Sequence, residues 1–138
     1  MQPQTGIILV THGSRLAAGN DALLQFAVQL RQRLGTELIE PAFMEIAQPS
    51  IPVAIHKLIQ QGCRHIFGYA LFLVPGTHLQ NDIPALFAEV LKDHPGVTWE
   101  LSPPMLTEPR LLDFVADQLK KEIVDGVTKL PVESAPVL

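Results

Sequence analysis

Three side chains could do metal chemistry if the fold brings them together: His12, His78 and Glu45. Two neutral imidazoles and a carboxylate suit a divalent first-row transition metal, and an imidazole can also accept a proton near neutral pH. No local motif joins them. The chain has no H-x-x-x-H and no C-x-x-C, and the two histidines lie far apart in sequence. Any common site must therefore come from the order of the elements around them.

Those elements alternate. Gly6 to Thr11 is a β-branched apolar run, followed by His12-Gly13-Ser14-Arg15 and a helix with Leu23, Phe26, Ala27, Leu30 and Leu34 on one face, stopped by Gly35. A second strand lies within Thr36 to Met44. After the loop Glu45 to Pro49, Ser50 caps a helix with Pro52 in its first turn and Ile51, Ala54, Ile55, Leu58 and Ile59 on its apolar side. Arg64 to Val74 reads as a third strand covered on both faces, ended by Pro75-Gly76. His78 is then expected in a strand-to-helix loop, before a helix over 81–93 capped by Asn81 or Asp82. Val97, Trp99 and Leu101 alternate with Thr98 and Glu100 in a half-exposed edge strand, and Leu112, Val115, Ala116, Leu119 and Ile123 mark a last helix.

Four strand-then-helix repeats predict a flavodoxin-like three-layer α/β/α fold, with a four-stranded parallel sheet in the order 2-1-3-4. Ligands of such sheets bind beyond the carboxyl ends of the strands, where the order reverses between strands 1 and 3. His12 follows strand 1 and His78 follows strand 3, and neighbouring strands lie about 4.8 Å apart. Glu45 follows strand 2 and opens on the same edge. Each has a plainer reading: loop histidines often only hydrogen-bond locally, and a glutamate near a helix start often only meets the helix dipole.

At 138 residues the chain fits one domain, expected over 1–124, with 125–138 as a C-terminal extension of shifted composition. A 47% hydrophobic and 17% charged composition excludes a disordered chain. A net charge of −4, with no basic patch, argues against a nucleic-acid partner. The run Ile7 to Val10 is too short for a membrane segment, and the first residues lack a basic region, so a soluble cytoplasmic protein is expected. The single cysteine, Cys63, forbids an internal disulfide and has little to activate it as a nucleophile. His56, His65 and His94 read as structural or exposed. Gly13 and Ser14 precede a helix and could hold an anion on backbone N–H groups, although a polar loop reads equally well there. No G-x-G-x-x-G or G-x-x-x-x-G-K-[ST] occurs, which argues against dinucleotide or P-loop binding.

His12-Gly13-Ser14-Arg15, the stretch Phe43 to Pro52, and Phe72 to His78 with Asp82-Ile83-Pro84 together resemble the short single-domain class II chelatases, the sirohydrochlorin cobaltochelatase and ferrochelatase group. The resemblance runs from about Gly6 to about Ile123. It implies an enzyme that inserts cobalt, iron or nickel into sirohydrochlorin, in cobalamin or siroheme synthesis, with no cofactor beyond the substrate metal. It also implies that His12 and His78 bind the metal, that Glu45 assists as acid, base or ligand, and that the chain pairs as a homodimer. Ser14 and Arg15 are candidates for the carboxylates of the tetrapyrrole, and Leu73, Val74, Leu79 and Met105 for apolar walls. Two positions depart from the family pattern: Glu108-Pro109 stands where histidine-proline is frequent, and Gln48 where glutamate is usual. A non-catalytic carrier of metal or tetrapyrrole is the second reading, and a flavodoxin-like anion or nucleotide module the third.

Overall fold

Apolar alternation along the first strand sends side chains to both faces of a sheet, and both faces are covered. In a computed structural model, which describes residues 4–124 (side chains of 78, 79 and 124 apart), β1 (Thr5–Thr11) buries Ile8 and Val10 on one side and Leu9 on the other. Helix α1 (Ala17–Leu34) closes over Leu9 with Leu23 and Ala27, joined by Ile39 and Phe43 of β2 (Ile39–Phe43). Helices α2 (Ile51–Gln60) and α3 (Ile83–Leu91) cover the opposite face, where Ile51, Ile55, Leu58, Ile83 and Phe87 meet Ile8, Val10 and Ile66. Each such aliphatic side chain contributes about 1.5–3 kcal/mol on burial. The sheet is parallel throughout and ordered β2-β1-β3-β4, with β3 at His65–Ala70 and β4 at Thr98–Leu101. The expected order 2-1-3-4 is the observed one.

Local signals act as their chemistry dictates. Gly35 ends α1 in the left-handed region, at φ 68°, where its amide reaches the Arg31 carbonyl. Ser50 caps α2 by accepting from the Val53 amide at 3.4 Å. Strand β2 lies at the sheet edge, yet all five of its residues are buried. Arg31 guards that edge, donating from Nε to the Ile39 carbonyl at 2.9 Å. The Glu40 carboxylate, 8% exposed, is paid for by Lys57 at 2.7 Å and Arg31 at 3.4 Å.

The third strand is shorter than its apolar run predicts. It ends at Ala70, where the Ser102 hydroxyl accepts the Ala70 amide at 2.9 Å and occupies the place a further ladder partner would take. Leu71 keeps one bond to the Val10 carbonyl; Leu73 and Val74 stand exposed instead of buried. The expected loop around His78 is a five-residue π-helix, His78–Asp82, running directly into α3, and Asp82 makes no side-chain cap there.

Two compact units make up the chain. The first, Met1–Met105, holds the sheet with α1 to α3. The second, Leu106–Leu138, holds α4 (Pro109–Val124), which opens on a proline and exposes Leu112, Val115, Leu119 and Ile123 along one stripe. The extension expected at 125–138 lies outside the described residues. Among those described, no helix is long and apolar enough to cross a membrane.

Candidate active site

The last ladder bond between β1 and β2, and one irregular backbone bond beyond it, carry Glu45 to His12. The Met44 amide donates to the Thr11 carbonyl at 2.9 Å, and the Glu45 amide to the His12 carbonyl at 3.1 Å. The side chains meet as well, His12 Nε2 lying 2.8 Å from Glu45 Oε1. Their side chains are 41% and 58% exposed, so the pair adds at most about 1 kcal/mol to stability. Its consequence is orientation: the carboxylate holds the imidazole ring and keeps a proton acceptor beside it.

Two backbone features fix this geometry. Gly13 sits at φ 103°, and a Cβ built there would lie 2.0 Å from the Glu45 carbonyl oxygen, so only glycine lets the two loops touch. Beyond Glu45 the chain reverses in three residues, closed by the Ala47 amide on the Glu45 carbonyl at 2.8 Å, with Ile46 at φ 75° in the middle. Gln48 then accepts the Ser50 amide at 3.2 Å, just ahead of α2. The departure from the family pattern at Gln48 therefore places a neutral acceptor beside the helix start.

The loop after β1 is held by its own bonds. The Ser14 amide donates to Asn20 Oδ1 at 2.8 Å, and Asn20 Nδ2 returns a bond to the Ser14 carbonyl at 2.7 Å. The Ser14 hydroxyl accepts the Leu16 amide at 3.0 Å. Two amides that an anion would use are thus engaged within the loop, while Arg15 is exposed. Beside this loop runs a groove of about 250 Å³ lined by Thr11, Gly19, Ala22, Leu23, Phe26 and Leu71. Sequence reasoning missed Asn20 and Ile46. Neither carries a local signal, because Asn20 acts six residues back along the chain and Ile46 is a residue type that normally avoids positive φ.

His78 opens the π-helix that follows β3, on the same carboxyl edge as His12, and the Gln80 amide bonds the Gly76 carbonyl at 2.9 Å. Single-turn π segments recur at functional sites. The expected convergence of the two imidazoles falls on a side chain outside the described residues, as does the apolar wall expected of Leu79. Among the described residues, no group of three or more histidine, cysteine, aspartate or glutamate side chains is placed to hold a metal ion. His56 and His94 meet edge to face at 5.7 Å, and His65 bonds Thr98 and Glu100 across β3 and β4. Glu108 pairs with Arg110 in the second unit.

Comparison with known proteins places this architecture. The chain is 37% identical over 115 residues to the chloroplastic sirohydrochlorin ferrochelatase of Arabidopsis thaliana, an alignment covering 83% of the chain and 51% of the plant protein. It thus spans about half the length of that relative. It is 31% identical over 116 residues to the sirohydrochlorin cobaltochelatase of Sulfurisphaera tokodaii, covering 84% of the chain and 92% of that protein. A crystal structure described as a putative cobalamin biosynthesis CbiX protein from Marinobacter aquaeolei VT8 superposes with a TM-score of 0.76 at 32% identity, covering 91% of this chain and 98% of that one. The sequence profile of the CbiX family matches residues 6–122, spanning the sheet, its three flanking helices and nearly all of α4, and the chain belongs to that family.

Proposed function

We propose that this chain inserts a divalent metal, cobalt, iron or nickel, into sirohydrochlorin. The observation that carries the reading is the His12–Glu45 pair at 2.8 Å, held at the carboxyl edge of β1 and β2 by backbone bonds and the Gly13 contact. Membership of the CbiX family, and likeness to proteins named sirohydrochlorin chelatases, support it.

The chemistry asks for two things. Metal must pass from protein ligands to four pyrrole nitrogens, and two N–H protons must leave the ring as it enters. His12 and His78 are the proposed ligands for the incoming ion, neutral imidazoles that bind borderline cations and release them. The cation takes the place of the N–H proton on His12 Nε2, which leaves to solvent; as the metal enters the ring, the Glu45 carboxylate accepts one pyrrole proton and the second leaves to solvent. Ser14 and Arg15 remain the proposed contacts for the substrate carboxylates, Arg15 by its guanidinium and Ser14 by its hydroxyl. No metal is selected by this donor set alone, since affinities of such sites follow the same divalent series and supply decides among them.

The proposed working form is a cytoplasmic homodimer. Leu112 and Ile123, 72% and 71% exposed on α4, offer an apolar stripe suited to a partner subunit.

The deciding assay mixes metal-free sirohydrochlorin with Co²⁺, Fe²⁺ or Ni²⁺ and follows the absorption change with and without protein. Acceleration with at least one metal is expected. Binding without acceleration by any of the three replaces the enzyme with a carrier.

A further inference from the structure

Ile46 occupies a conformation that its own side chain disfavours. Its φ of 75° lies in the left-handed half of backbone space, where a β-branched residue is a true outlier. The Ala47 amide, 2.8 Å from the Glu45 carbonyl, makes the three-residue reversal around it a γ-turn of the positive-φ form, the rare and strained one. Glycine or asparagine would make the same turn at less cost. Burial does not account for isoleucine either, because the residue is 57% exposed. Both the backbone and the hydrophobic effect count against this residue here, and strain with no local return gathers at ligand contacts.

Its neighbours say which ligand. Ile46 directly follows Glu45, whose carboxylate holds His12, on the exit of β2. On the exit of β3, with β1 and His12 lying between in the strand order, Leu73 and Val74 are each 57% exposed as well. The polar pair is thus bracketed along the sheet edge by exposed aliphatic side chains. That arrangement fits a wide planar ligand with apolar faces lying across the edge, its centre over the pair.

We propose that Ile46 is a substrate-contact residue: its side chain packs on the face of the macrocycle beside His12 and Glu45 and contributes to ring affinity. The inference rests on the chelatase reading and names the part of that site which holds the ring. The turn and the side chain have separable duties. The turn orients Glu45, and the isoleucine side chain binds ring.

Ile46→Gly separates them, since glycine accepts φ 75° and deletes only the side chain. In the full-length chain, its thermal midpoint should equal or exceed that of the wild type. Titrated without metal, its Kd for sirohydrochlorin should rise about tenfold, the size expected when an aliphatic contact is lost. KM for sirohydrochlorin should rise with it, while kcat and the Co²⁺ titration stay within about threefold of wild type. Ile46→Leu, which keeps apolar volume, should restore ring affinity. Wild-type protein that binds the ring beside an Ile46→Gly variant of equal ring affinity overturns this inference and leaves the chelatase reading standing. A fall in kcat with ring affinity unchanged also overturns it, assigning Ile46 to positioning Glu45. Wild-type protein that binds no sirohydrochlorin overturns both.

Discussion

Gly13 and Glu45 touch backbone to backbone: a Cβ on Gly13 would sit 2.0 Å from the Glu45 carbonyl oxygen. Two loops from neighbouring strands are thereby locked at the position where His12 and Glu45 pair. The contact makes Gly13 a positioning residue for both side chains, although it carries no reactive group itself. Gly13→Ala should cost about 1–3 kcal/mol in urea unfolding, from the strained φ and the displaced loop. Metal insertion should fall further than that loss of stability explains. A variant with wild-type insertion would show that the loop contact does not set the pair.

The imidazoles are expected to matter to function far more than to folding. His12→Ala and His78→Ala should each abolish metal insertion and leave the circular dichroism spectrum native. For His12 the contribution to stability is small because the His12–Glu45 pair is exposed on both sides, which limits it to about 1 kcal/mol. Insertion retained by both variants would remove them as ligands.

Glu45→Gln keeps size and hydrogen bonding but removes the proton acceptor. Turnover should drop by about 10²-fold or more, the range for a lost general base, with Co²⁺ binding largely kept. A metal titration run beside the rate assay separates the two effects. Loss of metal binding equal to the loss of rate would make Glu45 a ligand rather than a base.

Burial pushes the Cys63 thiol above its ordinary pKa, with Arg64 nearby acting in the opposite direction. The unfolded chain therefore loses the thiol proton at lower pH than the folded one. Stability tied to this group is fully present below the ordinary value, about 8.5, and declines as pH rises through and beyond it. Thermal midpoints measured from pH 7 to 10 should fall less steeply for Cys63→Ala than for wild type, although the variant starts lower from the cavity it leaves. Parallel pH profiles would remove Cys63 from the alkaline loss.

The exposed stripe of α4 provides the test of the homodimer. Leu112→Glu with Ile123→Glu should shift sedimentation from dimer to monomer without loss of helicity, since both side chains are already exposed. A wild-type chain that sediments as a monomer at micromolar concentration would end the dimer proposal.

Much of this architecture is legible in residue order. Among the described residues, the apolar runs and helical stripes predict the four strands and the four α-helices, and the positions of His12 and Glu45 at strand exits follow from them. Where the reading fails, a non-local partner is the cause. Leu71 to Val74 is as apolar as the strand before it, yet β3 ends at Ala70, whose amide goes to the Ser102 hydroxyl, distant in sequence, rather than to a further backbone carbonyl. Nothing near Ile46 announces a positive-φ turn, since glycine or asparagine is the usual sign of one and neither is present. Gly13 resembles a flexible loop residue until the β2 exit is laid against it.

What the sequence by itself determined is the local grammar: periodicity, caps and stops depend on residues a few positions apart, and they are satisfied wherever the chain folds. The tertiary structure decided which chemistry-bearing residues meet. His12 reaches Glu45 because the last ladder bond, Met44 to Thr11, is followed by a backbone bond from Glu45 to His12 beyond the strand ends. Register of that kind is set by contacts between distant segments, and no window of sequence contains both partners.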